Sequence, residues 1–250
     1  MIEQTVDIPT RDGAVTTFIA HPERDAPHPI VLFFMDAPAI REELRDMARR
    51  IATVGYYVML PNLYYRSGVM ELGDLPPLPE ADARKRMFGF MASIDIPMVM
   101  NDADALLAYA DRDPAASPGA AAAIGYCMSG QYAVNAAARR PERITCAASI
   151  YGVQLVTDRP DSPHLVAQKT QAEFYFACAE HDTYAPLEMV EALDAALTSA
   201  RVKAEVEVYP GVHHGFAFPG RKGIYDKPSA ERHWERLFAL FQRNLRRGPE

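Results

Sequence analysis

Residues 29–35, PIVLFFM, form an unbroken apolar run of the kind a strand shows when both of its faces are buried. The segment behind it, REELRDMARRIATVG (41–55), changes period. Leu44, Met47, Ala48 and Ile51 recur at helical spacing, and Gly55 is placed as a C-terminal stop. The same exchange repeats down the chain. Strands are predicted in YYVMLPNLYY (56–65, including its exit), GAAAAIGYC (119–127), ITCAASIYG (144–152), QAEFYFACA (171–179) and KAEVEVYPG (203–211). Helices are predicted over about 81–93 and 97–111, in SGQYAVNAAARR, and over about 186–199 and 229–247, with a Gly- and Pro-rich loop at 66–80. Strands alternating with helices argue for an α/β fold, a mostly parallel central sheet with helices on both faces. The N-terminus departs from this pattern: IEQTVDIP and AVTTFIAHP flank TRDG, an Asp-Gly turn signal, and read as an antiparallel hairpin. No composition break, internal repeat or low-complexity tract divides residues 1–250, so a single domain is expected.

A chain of 250 residues buries most of its apolar surface without disulfides or metals. Its net charge is −7, and apart from ARKR at 83–86 no basic run stands out, which argues against a nucleic-acid partner. No apolar stretch approaches the roughly 20 residues of a membrane span. The start, MIEQTVDIPTRDG, has no basic-then-apolar leader pattern, so no membrane partner or export is expected. Cys127, Cys146 and Cys178 are odd in number, widely spaced and without a CxxC pair. That argues against a disulfide scaffold or a structural zinc and makes a reducing cytoplasm the expected location. The adjacent pair His213-His214 lacks metal-ligand spacing and no HExxH occurs, so neither metal nor cofactor is expected. Oligomeric state leaves no mark in the sequence.

In a parallel α/β sheet the chemistry gathers at the carboxyl ends of strands. Three of the predicted ends carry reactive groups. Gly125-Tyr126-Cys127-Met128-Ser129-Gly130 has the layout of a nucleophile elbow, G-x-nucleophile-x-G, with Cys for Ser and Ser129 in place of the second glycine. The turn needs small residues because neighbours two positions either side of the nucleophile pass close together. Ser129 is small enough, and Gly130 adds slack. ACAEHDTYAP (177–186) places Asp182 just past a strand, where an acid also serves as turn former or helix cap. YPGVHHGFAFPG (209–220) places two histidines in a glycine-flanked loop after the next strand. Cys…Asp…His is the chain order of the α/β-hydrolase triad.

These motifs resemble the dienelactone hydrolase (carboxymethylenebutenolidase-like) family, a cysteine-nucleophile branch of the α/β-hydrolase fold, from about residue 10 to the end of the chain. GYCMSG is similar to the family's GYC-x-GG elbow, AEHDTYAP to its acid loop and YPGVHHGFAF to its histidine loop. VGYYVMLPNLYYR (54–66) resembles its Gly-Tyr-strand-Pro-Asp-Leu-Tyr-x-Arg segment, with Asn62 where Asp is usual. The histidine-loop pattern, His before a small residue and Phe, selects His214 over His213.

The resemblance implies a hydrolase of small lactones or esters. His214 would take the Cys127 proton, Asp182 would orient the imidazole, and the thiolate would form a thioester acyl-enzyme. The backbone amide of Met128, the residue after the nucleophile, is one expected oxyanion donor. Ala37, after the PIVLFFM strand, is the position the resemblance picks for the other. The family carries a glutamate directly after that strand, where it modulates the thiol's charge, and Asp36 holds the position in this chain. A turn residue before Pro38 is the plainer role for it. Of the family's two carboxylate-binding arginines, one falls on or near Arg84 and the other near Phe218, with Arg221 three residues further on. The pocket tyrosine falls around Phe88. A thioesterase or general carboxylesterase on the same scaffold is the alternative within enzymes, and a non-catalytic small-ligand-binding member of the fold is the alternative outside them.

Overall fold

β1 (Ile2–Thr10) and β2 (Gly13–His21) pair antiparallel from Ile2↔His21 to Thr10↔Gly13, with Arg11 and Asp12 at the turn. The computed structural model describes residues 1–245, and contacts divide the chain into two units at Gly119/Ala120. In the first unit β3 (His28–Phe34) is buried along its whole length, as its apolar run requires, with His28 buried at its start. α1 (Glu42–Thr53) follows and buries Leu44, Met47, Ala48, Ile51 and Ala52, the predicted stripe plus one residue. β4 (Tyr57–Pro61) pairs parallel with β3 and antiparallel with β2, so this unit's strand order is β1-β2-β4-β3. The predicted loop at 66–80 holds two single 3₁₀ turns, Tyr65–Ser67 and Leu72–Asp74. α2 (Glu80–Ala92) has no buried residue, whereas α3 (Ile96–Ala110) is capped by Asp95, which accepts from the Met98 N–H, and buries eight residues.

β5 (Ala116–Tyr126) has its paired residues, Ala121 to Tyr126, in the second unit. After it come α4 (Gly130–Arg139), β6 (Ile144–Ile150), α5 (Pro163–Val166), β7 (Glu173–His181), α6 (Leu187–Ser199), β8 (Ala204–His213) and α7 (Lys227–Asn244). β5, β6, β7 and β8 are parallel and adjacent in that order. The short α5 was not predicted, and residues 246–247 of the last predicted helix lie outside the described residues. Among the described residues no helix is long and apolar enough to cross a membrane.

Candidate active site

β5 ends at Tyr126, β7 at His181 and β8 at His213, so Cys127, Asp182 and His214 are each the first residue beyond a parallel strand. His181 and His213 are Cα partners in the β7–β8 ladder, and Asp182 and His214 therefore leave the sheet side by side. The ladder reaches that register through an irregularity: between Ala179↔Tyr209 and His181↔His213, Glu180 alone opposes Pro210, Gly211 and Val212. Gly211 takes φ +72°, and its N–H donates to the Glu180 carboxylate at 2.6 Å. A bulge of this kind re-aims the side chains that follow it.

His214 Nδ1–H donates to Asp182 Oδ2 at 2.7 Å, a pair whose side chains are 10% and 0% exposed. The other carboxylate oxygen accepts from the backbone N–H groups of Tyr184 (2.9 Å) and Ala185 (3.1 Å). One carboxylate thus serves both neighbours, one oxygen on the backbone N–H groups and the other on His214. The edges of Tyr151 and Tyr184 flank the imidazole at 5.0 and 5.1 Å between ring centres. Burial lowers the pKa of His214, but the hydrogen bond to Asp182 and the interaction with Cys127 outweigh it and raise the group to about 9. Nε2 is buried and makes no hydrogen bond of ordinary geometry among the described residues. His213 is exposed, with its ring 5.2 Å from that of His181.

Cys127 takes φ +54°, the strained backbone an elbow demands. The close approach falls between Gly125 and Ser129: a Cβ on Gly125 would lie 1.9 Å from the Ser129 carbonyl oxygen. Gly130 does more than add slack. A Cβ there would meet Ser149 Oγ at 2.2 Å and Gly152 Cα at 2.7 Å, so the start of α4 packs directly on the chain leaving β6. Cys127 is partly exposed; Cys146 and Cys178 are buried, and burial raises both thiols, Cys178 to about 12. The segment after β6 also reaches the elbow, for the Val153 N–H donates to the Cys127 carbonyl at 3.1 Å. Gln131 Nε2 donates to the Met128 carbonyl at 3.0 Å, and Arg159 holds Gln131 Oε1 at 2.9 Å. Sequence reasoning missed these residues; the single sign of them was a glycine, Gly152, just past a strand.

Met128, the expected oxyanion donor, is fully buried in the turn after Cys127. Phe218 is fully buried as well, 5.4 Å from the Tyr126 ring and 5.9 Å from that of Tyr151. The guanidinium of Arg221 lies 5.5 Å over its ring and beside Gly215, next to His214. In the first unit Asp36 is fully buried and gripped by both arms of the Arg41 guanidinium at 2.6 and 3.2 Å. Its carbonyl accepts from the Ala39 N–H, so it is also the turn residue its position suggested. The Ala37 carbonyl accepts from Tyr64 Oη at 3.0 Å. Arg84 is exposed, with its guanidinium 6.0 Å over the half-buried Phe88 ring. It lines an open cavity of about 490 Å³ together with Pro38, Leu72, Glu80 and Met87. Among the described residues no group of three or more His, Cys, Asp or Glu side chains is placed to hold a metal ion.

Residues 15–245 match the model of the dienelactone hydrolase family. A Synechocystis protein provisionally named carboxymethylenebutenolidase is 28% identical over 96% of both chains. One from Salmonella typhi with the same provisional name is 30% identical over 94% of this chain and 84% of its own. Among solved structures, one provisionally titled dienelactone hydrolase, from Klebsiella pneumoniae, superposes with a TM-score of 0.85 at 26% identity, covering 96% of this chain and 98% of that one.

Proposed function

The chain belongs to the dienelactone hydrolase family, and from that membership we propose that it cleaves a small lactone or ester through Cys127, His214 and Asp182 by way of a thioester. It has the α/β-hydrolase fold, and its family makes it a hydrolase acting on esters or lactones. We also take its two units as one catalytic domain, a view supported by a family match that runs unbroken across residues 15–245.

The observation that carries the triad is the 2.7 Å bond from His214 to the buried Asp182, beside the thiol at the end of β5. His214 takes the Cys127 proton, and Asp182 balances the imidazolium. The sulfur attacks the carbonyl carbon, a C–S bond forms, and the carbonyl electrons move to oxygen, where the Met128 N–H donates to the anion. Collapse of the adduct breaks the C–O bond, and His214 returns its proton to the departing alkoxide. Water then enters, loses a proton to His214 and attacks the thioester; sulfur leaves and the acid is released. A thiolate displaces alkoxides and enolates far better than amines, which favours esters, enol lactones and thioesters over amides. Burial opposes a charge on His214, but the hydrogen bond to Asp182 favours the imidazolium, which holds the proton until the leaving group takes it.

Cys127→Ala tests the proposal. Turnover of p-nitrophenyl acetate and of a simple enol lactone should fall about a thousandfold or more with folding intact. Rates near wild type would end the nucleophile assignment.

A further inference from the structure

The carbonyl of Cys127 and the N–H of Met128 belong to one planar peptide and point in opposite directions. Whatever holds the carbonyl therefore aims the N–H. In a tight turn this matters, because the central peptide has two orientations, which for a first central residue with positive φ such as Cys127 is the difference between type I′ and type II′ turns. One of the two offers an oxyanion an N–H, and the other offers a repelling carbonyl. The Cys127 carbonyl accepts from Gly130 N–H within the elbow and from Val153 N–H, at 3.1 Å, on the chain leaving β6.

We propose that the 151–154 loop is a positioning element for the oxyanion donor: Val153 N–H holds the Cys127–Met128 peptide so that Met128 N–H faces the developing charge before substrate arrives. The inference rests on Cys127 being the nucleophile. It assigns to the loop, and to Val153 in particular, a part that neither the triad nor the elbow motif contains.

The loop itself is firmly held. Tyr151 and Gln154 take φ of +38° and +56°, conformations that residues with side chains adopt only when the surroundings enforce them. The enforcing contacts are visible. Tyr151 N–H donates to the Ala177 carbonyl at 2.6 Å, and its ring packs on His214. Gly152 lies so close to the start of α4 that a Cβ would stand 2.0 Å from Ser149 Oγ and 3.2 Å from Gly130 Cα. Arg159 ties Gln154 Oε1 (3.4 Å) to Gln131 Oε1 (2.9 Å), and Gln131 in turn holds the Met128 carbonyl. The peptides on both sides of Met128 are thus pinned through their carbonyls.

Val153→Pro removes the N–H, and Val153→Ala keeps it while trimming the side chain. For each, two rates are measured: hydrolysis of p-nitrophenyl acetate and alkylation of Cys127 by iodoacetamide. Alkylation is displacement at a saturated carbon and forms no oxyanion. It reads the thiol and His214 alone, since Cys146 and Cys178 are buried. Val153→Pro should lose about tenfold to a hundredfold in hydrolysis, less than loss of the donor itself would cost, with alkylation within about twofold of wild type. Val153→Ala should behave as wild type in both. Unimpaired hydrolysis in Val153→Pro, a parallel loss of alkylation, or an equal loss in Val153→Ala would overturn the proposal. Should Val153→Pro fail to fold, Gly152→Ala displaces the same loop: hydrolysis should fall with alkylation kept, and added Ser149→Ala should restore the rate. No such split there would overturn it equally. Cys127→Ala run alongside separates the two levels. Persistent hydrolysis in that variant defeats the nucleophile reading, whereas its loss beside a normal Val153→Pro defeats the loop's role alone.

Discussion

At the scale of single residues, the strain at Cys127 is made possible by glycine at Gly125. A methyl group there would lie 1.9 Å from the Ser129 carbonyl oxygen, which is backbone and cannot swing aside. Gly125→Ala should therefore lower the urea midpoint by an amount worth about 2–3 kcal/mol, or prevent folding. Between the two neighbouring histidines, His214→Ala should cut turnover severely and His213→Ala mildly; the reverse would mean the loop's register is misread. The order Cys127…Asp182…His214 was legible because one residue ends a predicted strand and the other two lie three residues past theirs, a spacing a sequence displays. The part played by Gly130 was not. Its need for glycine comes from Gly152 and Ser149, which are distant along the chain and near it only in the folded unit.

At the scale of elements, apolar periodicity located the strands and the long helices, because burial on a regular face imposes it. The bulge that brings β8 to His213 and the loop that leaves β6 were not located. Both are held by specific contacts, Glu180 on Gly211 and Val153 on Cys127, which leave no periodic trace. α2 was located as a helix, but its apolar side chains mark no core face: Phe88, Phe90 and Met91 are each half-buried and the helix has no buried residue. Arg66, carried in the family-like segment 54–66, acts structurally. It grips the buried Asp102 at 2.8 and 2.9 Å and also pairs with Asp12. Burial pushes the Asp102 carboxyl up, and Arg66 and Tyr65 pull against it. Arg66→Ala leaves that carboxylate buried without its cation and should cost about 3–5 kcal/mol at neutral pH by denaturant titration. The deficit should shrink as pH falls and Asp102 takes a proton. A deficit independent of pH would show that lost packing, not charge, was responsible.

At the scale of the whole molecule, the His214–Asp182 pair proposed for the reaction also bears on stability. The folded pKa of about 9 stands above the ordinary 6.5, so protonation favours the folded state. This contribution is complete below about 6.5 and disappears as pH rises through about 9. Urea midpoints of wild type and Asp182→Asn, compared across that interval, should converge as the wild type loses its advantage; a constant gap would show that the pair does not titrate there. The fold and the reaction class reach the sequence through motifs that many chains share, whereas the substrate is chosen by a few side chains that differ. Arg84, on an exposed helix, and the buried Phe218 stand near the two positions where the resemblance implies carboxylate-binding arginines. Lactones with and without a carboxylate, tested on wild type and Arg84→Ala, should show a preference for the charged substrate that the variant loses. Equal rates would show that Arg84 confers no selectivity for a carboxylate. The central claim, an acyl group carried on the Cys127 sulfur, is open to direct measurement. Enzyme quenched in acid during turnover of p-nitrophenyl acetate, digested and analysed by mass spectrometry, should yield an acetylated, hydroxylamine-labile peptide containing Cys127, absent from His214→Ala. An acetyl group found on Ser129, or none on any residue while turnover proceeds, would contradict it.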